Sequence, residues 1–442
     1  MASREPSEPI GIASKEELGT LSPVSEDYPL SPVPGYVRKS IWSLAPLLMG
    51  FTLYSGTLLA GGLVGLAYRF WPDLVVLILV GNLILGCYAA ALSYIAAKSG
   101  LSTVLIARFS FGNIGSRLVD FILSFIQIGW YAWGSALIAD LLNKLVGVPP
   151  SWNWLTILAC TYLFFIIAYF GYRTLDWLSR IAVPTMLFLM FWCLLIAMIK
   201  VGGFAGLQAI KPTQQLAGGE ALTLVVGTFI SGVTQVTNSS KFTKDGSQPV
   251  VNILIAFFVA NGIIVSSGAL NSLIYGSENL VDVMSQQGLL FWALLLLLLN
   301  MWTTQDNTIY AFSVAGAYIF RTNKRTAFVI GGATLALVLA WGGIYKMLVP
   351  YLIFLGIFIP PIGGVIMSDY WLHRRGKFPA LVEPQPRFNW AGIISYVLAS
   401  TIAYFSPGIK PINGIVAALI LYYALSKLIP LISRNYRKRT VA

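Results

Sequence analysis

What this 442-residue chain has least of is charge. Asp, Glu, Lys and Arg together make up 10% of it, against 57% hydrophobic residues and a mean hydropathy of +0.76. A soluble domain carries about 25% charged residues, so these residues cannot furnish a water-facing surface for a chain this long. Secreted, nucleic-acid-binding and ordinary cytosolic enzyme classes are thereby excluded. Cysteine is scarce as well: Cys87, Cys160 and Cys193 each sit in an apolar run, which leaves no disulfide framework and no CxxC metal site. With His373 as the single histidine, there is neither a His-based catalytic triad nor a His cluster for zinc. No Walker phosphate loop occurs, so work done by this protein draws on an ion gradient and not on ATP hydrolysis.

What is present is long apolar runs. A membrane span needs about 20 mostly apolar residues, because the hydrocarbon core is about 30 Å thick and a helix rises about 1.5 Å per residue. Twelve stretches meet that test: 41–66, 72–97, 116–142, 153–171, 177–199, 220–237, 249–275, 288–320, 327–344, 347–371, 389–405 and 411–430. The chain reads as an all-α polytopic membrane protein with a transmembrane domain over 41–430. Residues 1–40 are polar, rich in Ser, Pro and Glu, and lack a signal-peptide core, so they read as a disordered cytoplasmic tail. Residues 431–442 form a basic cytoplasmic tail.

The net charge of +12 becomes informative once the cations are placed. Positively charged loops stay on the cytoplasmic side. With the N-terminus inside, only Arg69, Lys144, Lys200, Lys211, Lys346 and Lys410 fall on the far side, and the remaining 23 of 29 cations are cytoplasmic. Both termini are then inside, in a plasma (inner) membrane. The basic surplus is mainly an orientation signal, with attraction to anionic lipid headgroups as a secondary effect.

Interruptions in a spanning helix are tolerated only where protein or a water-filled cavity takes over the backbone hydrogen bonds. Segment 1 carries Gly50-Phe51-Thr52-Leu53-Tyr54-Ser55-Gly56 and segment 6 carries Gly227-Thr228-Phe229-Ile230-Ser231-Gly232, each placing two glycines and several hydroxyls halfway across. Close helix packing through small residues would use the same composition. Their positions as segments 1 and 6 fit equivalent members of a five-plus-five inverted repeat, in which broken helices build midplane substrate and ion sites. Segment 8 holds Asn300-Met301-Trp302-Thr303-Thr304-Gln305-Asp306-Asn307. On a helix Asn300, Thr303, Thr304 and Asn307 share one face, either as a cation site or as an inter-helix hydrogen-bond seam. Asp306 is an ion or proton partner, or a residue near the cytoplasmic mouth. Trp130 lies mid-helix in segment 3, away from any interfacial belt, where it stacks on a planar substrate or packs on a neighbour. Pro360-Pro361 interrupts segment 10 as a hinge or as a static kink.

Several motifs carry a family resemblance. Gly81-Asn82-Leu83-Ile84-Leu85-Gly86, Ala97-Lys98-Ser99-Gly100-Leu101-Ser102-Thr103, Ala107-Arg108-Phe109-Ser110-Phe111-Gly112 and Gln127-Ile128-Gly129-Trp130 resemble the nucleobase-cation-symport-1 (NCS1) family, and within it the bacterial cytosine permeases. So do Val225 to Ser231, Asn300 to Asn307 and Ile359 to Ile366, in order and at similar spacing from about Gly35 to about Pro430. The resemblance implies the leucine-transporter fold: ten helices in two inverted halves with broken helices 1 and 6, plus two C-terminal helices. It also implies sodium-coupled import of a nucleobase by alternating access. Carried over by motif position, Trp130 and Phe229 would sandwich the base, with Thr228, Ser231 and Asn300 near its polar edge. Sodium would lie between the backbone of Gly50 and Leu53 and the side chains of Asn300, Thr303 and Thr304.

The chain also departs from the family pattern. Thr228 stands where a small hydroxyl such as Ser is usual, Asn238 where an Asp is usual, and Gln305 where cytosine permeases tend to have Asn. Substrate identity is therefore less fixed than family membership. Cytosine leads, with hydroxymethylpyrimidine, uracil or a purine, and proton in place of sodium, as alternatives. An amino-acid or amine carrier of the same fold is more distant, since Trp130 and Phe229 favour a flat ring. An intramembrane enzyme is disfavoured for lack of paired carboxylates or a Ser/His constellation at the midplane. Paired broken helices suit occlusion better than the open conduction of a channel.

Overall fold

The computed structural model describes Tyr28 and residues 31–38, 54–170, 172–244, 248–320, 325–381 and 383–440; for some of these, including Thr303, Asp306 and Asn307, the backbone alone is described. Among the described residues the chain is helical, without strands. In chain order the principal helices are α1 (Ser55–Ala67), α2 (Val75–Ser99), α3 (Thr103–Phe111), α4 (Gly115–Val146), α5 (Asn153–Phe170) and α6 (Tyr172–Val201). They continue as α7 (Gly218–Gly227), α8 (Ile230–Thr234), α9 (Thr237–Ser240), α10 (Gln248–Ile255), α11 (Gly262–Tyr275) and α12 (Leu290–Ile319). The last are α13 (Arg325–Trp341), α14 (Leu348–Phe358), α15 (Pro360–Met367), α16 (Trp390–Phe405) and α17 (Lys410–Thr440). Six described helices are long and apolar enough to cross a membrane, or seven if the bent pair α7 to α9 counts as one span. Four shorter apolar helices, Ser55–Ala67, Leu290–Trp302, Thr326–Trp341 and Trp390–Phe405, stand beside them. The count of twelve is an expectation of the sequence.

The helices pack in two groups. One joins α1, α2, the broken α7 and α8, and α10 with α11; the other joins α4, α5, α12 and α13. Helix α6 bridges them through α11 and α12, while α16 and α17 pair with each other and lean on α15. With lipid as apolar as the helices themselves, association depends on close backbone approach. The α1–α11 seam shows this: a Cβ at Gly61 would lie 2.3 Å from the Val265 carbonyl oxygen, and one at Gly65 would lie 2.1 Å from that of Ala269.

The expected interruptions differ in kind. Segment 6 is broken, α7 and the helix that follows being bent by 57°, with Phe229 at φ −126° and ψ 0° between them. Segment 1 is extended at Tyr54 (φ −136°, ψ 134°) before α1 begins at Ser55. In segment 10 Ile359 keeps helical dihedrals, so Pro360-Pro361 interrupts the hydrogen-bond ladder without unwinding the helix. Segment 7 passes through a wider π turn over Ala256–Asn261.

Two described stretches lie beyond the expected limits of the membrane domain. Val33 is buried, its amide donates to the Gly100 carbonyl at 2.9 Å, and Arg38 Nη1 donates to the Ala97 carbonyl at 2.8 Å. Lys241 Nζ donates to the Tyr28 carbonyl at 3.1 Å. Part of the polar N-terminal stretch is thus docked on the end of α2 and on the loop after α9. At the other end, α17 remains helical to Thr440.

Candidate substrate and ion site

The start of α1, the break in segment 6 and the polar stretch of segment 8 come together around Trp130. At the N-terminus of α1 the Ser55 amide donates to Asn300 Oδ1 at 2.8 Å, and the Ser55 hydroxyl bonds the same oxygen. A helix starting inside the membrane has unsatisfied amides, and here a side chain of α12 takes one of them. One turn further along α12, the Thr304 hydroxyl donates back to the Asn300 carbonyl at 2.8 Å. Segments 1 and 8 are therefore tied at the height where both carry oxygens.

Trp130 lies in the buried middle of α4, and its indole Nε1 donates to Ser231 Oγ at 3.3 Å, which joins segment 3 to the lower half of broken segment 6. Thr228 ends α7, and its hydroxyl donates to the Val225 carbonyl at 2.7 Å. That bond uses its proton within its own helix and leaves its lone pairs for a donor. Phe229 sits in the break and packs edge-on against Phe257 at 5.8 Å between centroids. The five residues carried over to the substrate, Trp130, Thr228, Phe229, Ser231 and Asn300, are all at most 6% exposed. The site is closed.

Of the residues carried over to sodium, Asn300 and Thr304 are placed as described, Thr303 is on α12 with its backbone alone described, and Gly50 and Leu53 lie outside the described residues. Asp306 also has its backbone alone described.

Four residues to which the sequence assigned no role, two of them (Tyr54 and Gln127) within the motifs quoted above, complete the surroundings. Tyr54 and Tyr351 each stand edge-on to Trp130 with ring centroids 5.0 Å away. The Tyr351 hydroxyl donates to the Ile126 carbonyl at 2.9 Å. Gln127, one turn before Trp130, reaches Gln235 at 3.5 Å beyond α8. Glycines make the room: a Cβ at Gly129 would lie 2.4 Å from the Tyr351 hydroxyl oxygen, and one at Gly56 would lie 2.4 Å from the Tyr54 ring. Gly-Trp and Ser-Gly dipeptides within aromatic-rich helices were the available signal, but which ring fills the gap depends on the fold. Beside Tyr54, Ser55 and Asn300 lies a cavity of about 10 Å³, walled by Leu58, Met186, Met190, Ile264 and Leu296. It is about the size of one water.

The departures from the family pattern also acquire places. Asn238 Oδ1 accepts from the Thr103 amide at 3.2 Å at the start of α3. Gln305 Nε2 donates to the Tyr131 carbonyl at 2.8 Å and to the Ser135 hydroxyl at 3.1 Å, pinning α12 to α4 next to Trp130.

Residues 32–425 match the family described as permease for cytosine/purines, uracil, thiamine, allantoin. This chain belongs to that family. The cytosine permease of Escherichia coli strain K12 is 35% identical over 404 residues, covering 91% of this chain and 94% of that protein. Among solved structures, the inward-facing conformation of Mhp1 superposes with a TM-score of 0.80 at 18% identity, over 91% of this chain and 93% of that one. Mhp1, a nucleobase-cation-symport-1 family transporter, in a closed conformation with bromovinylhydantoin bound gives 0.76 at 18% identity, over 92% and 95%. The protein is a multi-pass NCS1 membrane transporter with a leucine-transporter-like fold, its relatives are permeases and not enzymes, and its substrate is of the nucleobase type.

Proposed function

We propose that this permease imports cytosine together with sodium by alternating access. The observation that carries the reading is the pair of bonds Ser55 to Asn300 and Trp130 to Ser231, which bring the start of α1 against segment 8 and broken segment 6 against segment 3. A planar base would lie along the Trp130 indole and against Phe229, its polar edge meeting Thr228, Ser231 and Asn300. Neutral oxygens suit a hard monovalent cation, and the backbone of Gly50 and Leu53 with Asn300, Thr303 and Thr304 would supply them at the end of a broken helix. Because Asn300 belongs to both sets, filling the ion site orders a residue of the base site. That shared residue gives coupling a physical route.

The 35% identity to a cytosine permease favours cytosine, and the excess of cytoplasmic cations favours both termini inside a plasma membrane. Uptake of radiolabelled cytosine into proteoliposomes, with unlabelled cytosine, uracil, adenine, hydroxymethylpyrimidine and amino acids as competitors, tests the substrate. Cytosine is expected to compete best. Stronger competition by another heterocycle reassigns the substrate within the family, and competition by amino acids alone refutes a flat-ring site.

A further inference from the structure

Among the described side chains two carboxylates are buried, Asp120 and Asp369. Asp369 is met by Arg374, Tyr422 and Ser110. Asp120, in the second turn of α4 and 9% exposed, has no ion pair or hydrogen bond among the described residues, and no charged neighbour acts on it. On the elements packed against α4, Arg108 of α3 is bonded to Asn113, α5 carries no charge, and Asp306 of α12 and Arg325 of α13 are described by their backbone alone. On α4 itself Arg117 leaves its buried Nε without a partner, while Asp140 and Lys144 pair at the opposite end. The position on the helix is specific. Leu118, Phe121 and Phe125 form the exposed face of these turns, whereas Asp120, Ser124 and Gln127 follow one another at i, i+4 and i+7 on a buried face. Gln127 lies one turn before Trp130 and reaches Gln235 just past α8. A file of polar side chains thus runs from the edge of the Trp130 pocket to the end of α4 that the proposed orientation turns toward the cytoplasm, about 15 Å along the helix. A carboxylate closes it.

We infer that Asp120 is a cation site of this transporter, separate from Asn300 and Thr304, at which a sodium ion or a proton neutralises the carboxylate. A carboxylate withdrawn from water with no partner of its own is held at a large cost unless a cation neutralises it, and ionisable residues within spans mark ion and proton paths. A proton needs the carboxylate alone; for sodium, the Ser124 hydroxyl one turn along supplies a second oxygen. With the site empty, the carboxylate draws the coupling ion along the file toward the cytoplasm. Its effect therefore falls on turnover and not on affinity for the base. This role in transport rests on the reading of the protein as an ion-coupled symporter, whereas the binding of a cation does not.

The test follows substrate-free thermal unfolding of the wild type, Asp120→Asn and Asp120→Glu in detergent. One series varies sodium at fixed pH with choline as the replacement ion, and the other runs from about pH 5 to about pH 8.5 in sodium-free buffer. Asp120→Asn should respond less steeply than the wild type in at least one series, with Asp120→Glu close to the wild type; a change with sodium identifies sodium, and a change with pH the proton. In sodium-free buffer at neutral pH Asp120→Asn should melt no lower than the wild type, because the carboxylate has no partner to lose. In proteoliposomes its maximal rate of cytosine uptake should fall about tenfold while half-saturation stays within about twofold. Identical sodium and pH responses in the wild type and Asp120→Asn, an unaltered maximal rate, or a lower Tm of Asp120→Asn under every condition would overturn the inference. If the wild type takes up no nucleobase, the substrate reading falls, and the two melting series still decide whether Asp120 holds a cation.

Discussion

At the scale of single residues, the departures from the family pattern have physical explanations. Asn238, where the family resemblance leads one to expect Asp, accepts from the Thr103 amide, without the charge that an Asp would bring near the N-terminus of α3. Asn238→Ala should lower stability by about 1 kcal/mol, the usual worth of such a cap. Asn238→Asp should hold or slightly raise it at low salt, through the favourable end of the helix dipole. Thermal unfolding in detergent measures both. Trp130→Ala should weaken substrate affinity by removing the indole and its bond to Ser231, and Thr303→Ala should weaken dependence on sodium. Normal kinetics in both folded variants would refute the proposed sites. The polar and small residues of segments 6 and 8 and the mid-helix Trp130 stand out in the sequence against an apolar background; assigning Trp130, Thr228, Phe229, Ser231 and Asn300 to the substrate took the family resemblance. Tyr54 and Tyr351 do not stand out, because what gives them meaning is contact with a helix distant in sequence.

At the scale of elements, span centres were readable from apolar length, but ends were less so. Segment 12 was expected over 411–430, yet α17 runs from Lys410 to Thr440. Hydropathy stops where Arg434, Arg437, Lys438 and Arg439 begin, but those residues are adequate helix formers and continue the helix. Segment 6 drew attention through Gly227 and Gly232; the turn itself falls on Phe229, held by its packing on Phe257. The α1–α11 seam gives an element-scale test. Gly65→Leu would drive a side chain into the Ala269 backbone, which cannot give way as a flexible side chain does. It should abolish transport and lower recovery of folded protein, whereas Gly147→Ala, in open space although at positive φ, should have a much smaller effect. Size-exclusion profiles and initial uptake rates distinguish the two.

Across the whole molecule, the last two helices are joined to the core by a buried carboxylate. Asp369, 0% exposed at the end of segment 10, accepts from Arg374 at 3.0 Å, from the Tyr422 hydroxyl at 2.8 Å and from the Ser110 hydroxyl at 3.1 Å. Four parts of the chain converge there, since Asn389 at the head of α16 also donates to Tyr422. Nearby, Phe109 stacks on Phe378 at 4.6 Å. Removing one partner of a buried ion pair strands the other, at about 3–5 kcal/mol, so Asp369→Ala should sharply lower the melting temperature measured with either substrate present or absent. The proposed substrate and ion site lies elsewhere, between the two helix groups, at the Ser55–Asn300 and Trp130–Ser231 bonds. The most direct measurement is initial uptake of labelled cytosine into proteoliposomes under an imposed inward sodium gradient, compared with a proton gradient in sodium-free buffer. Concentrative uptake with sodium alone is the expected result; no cytosine uptake under either gradient, or equal uptake driven by protons without sodium, would contradict sodium-coupled cytosine import.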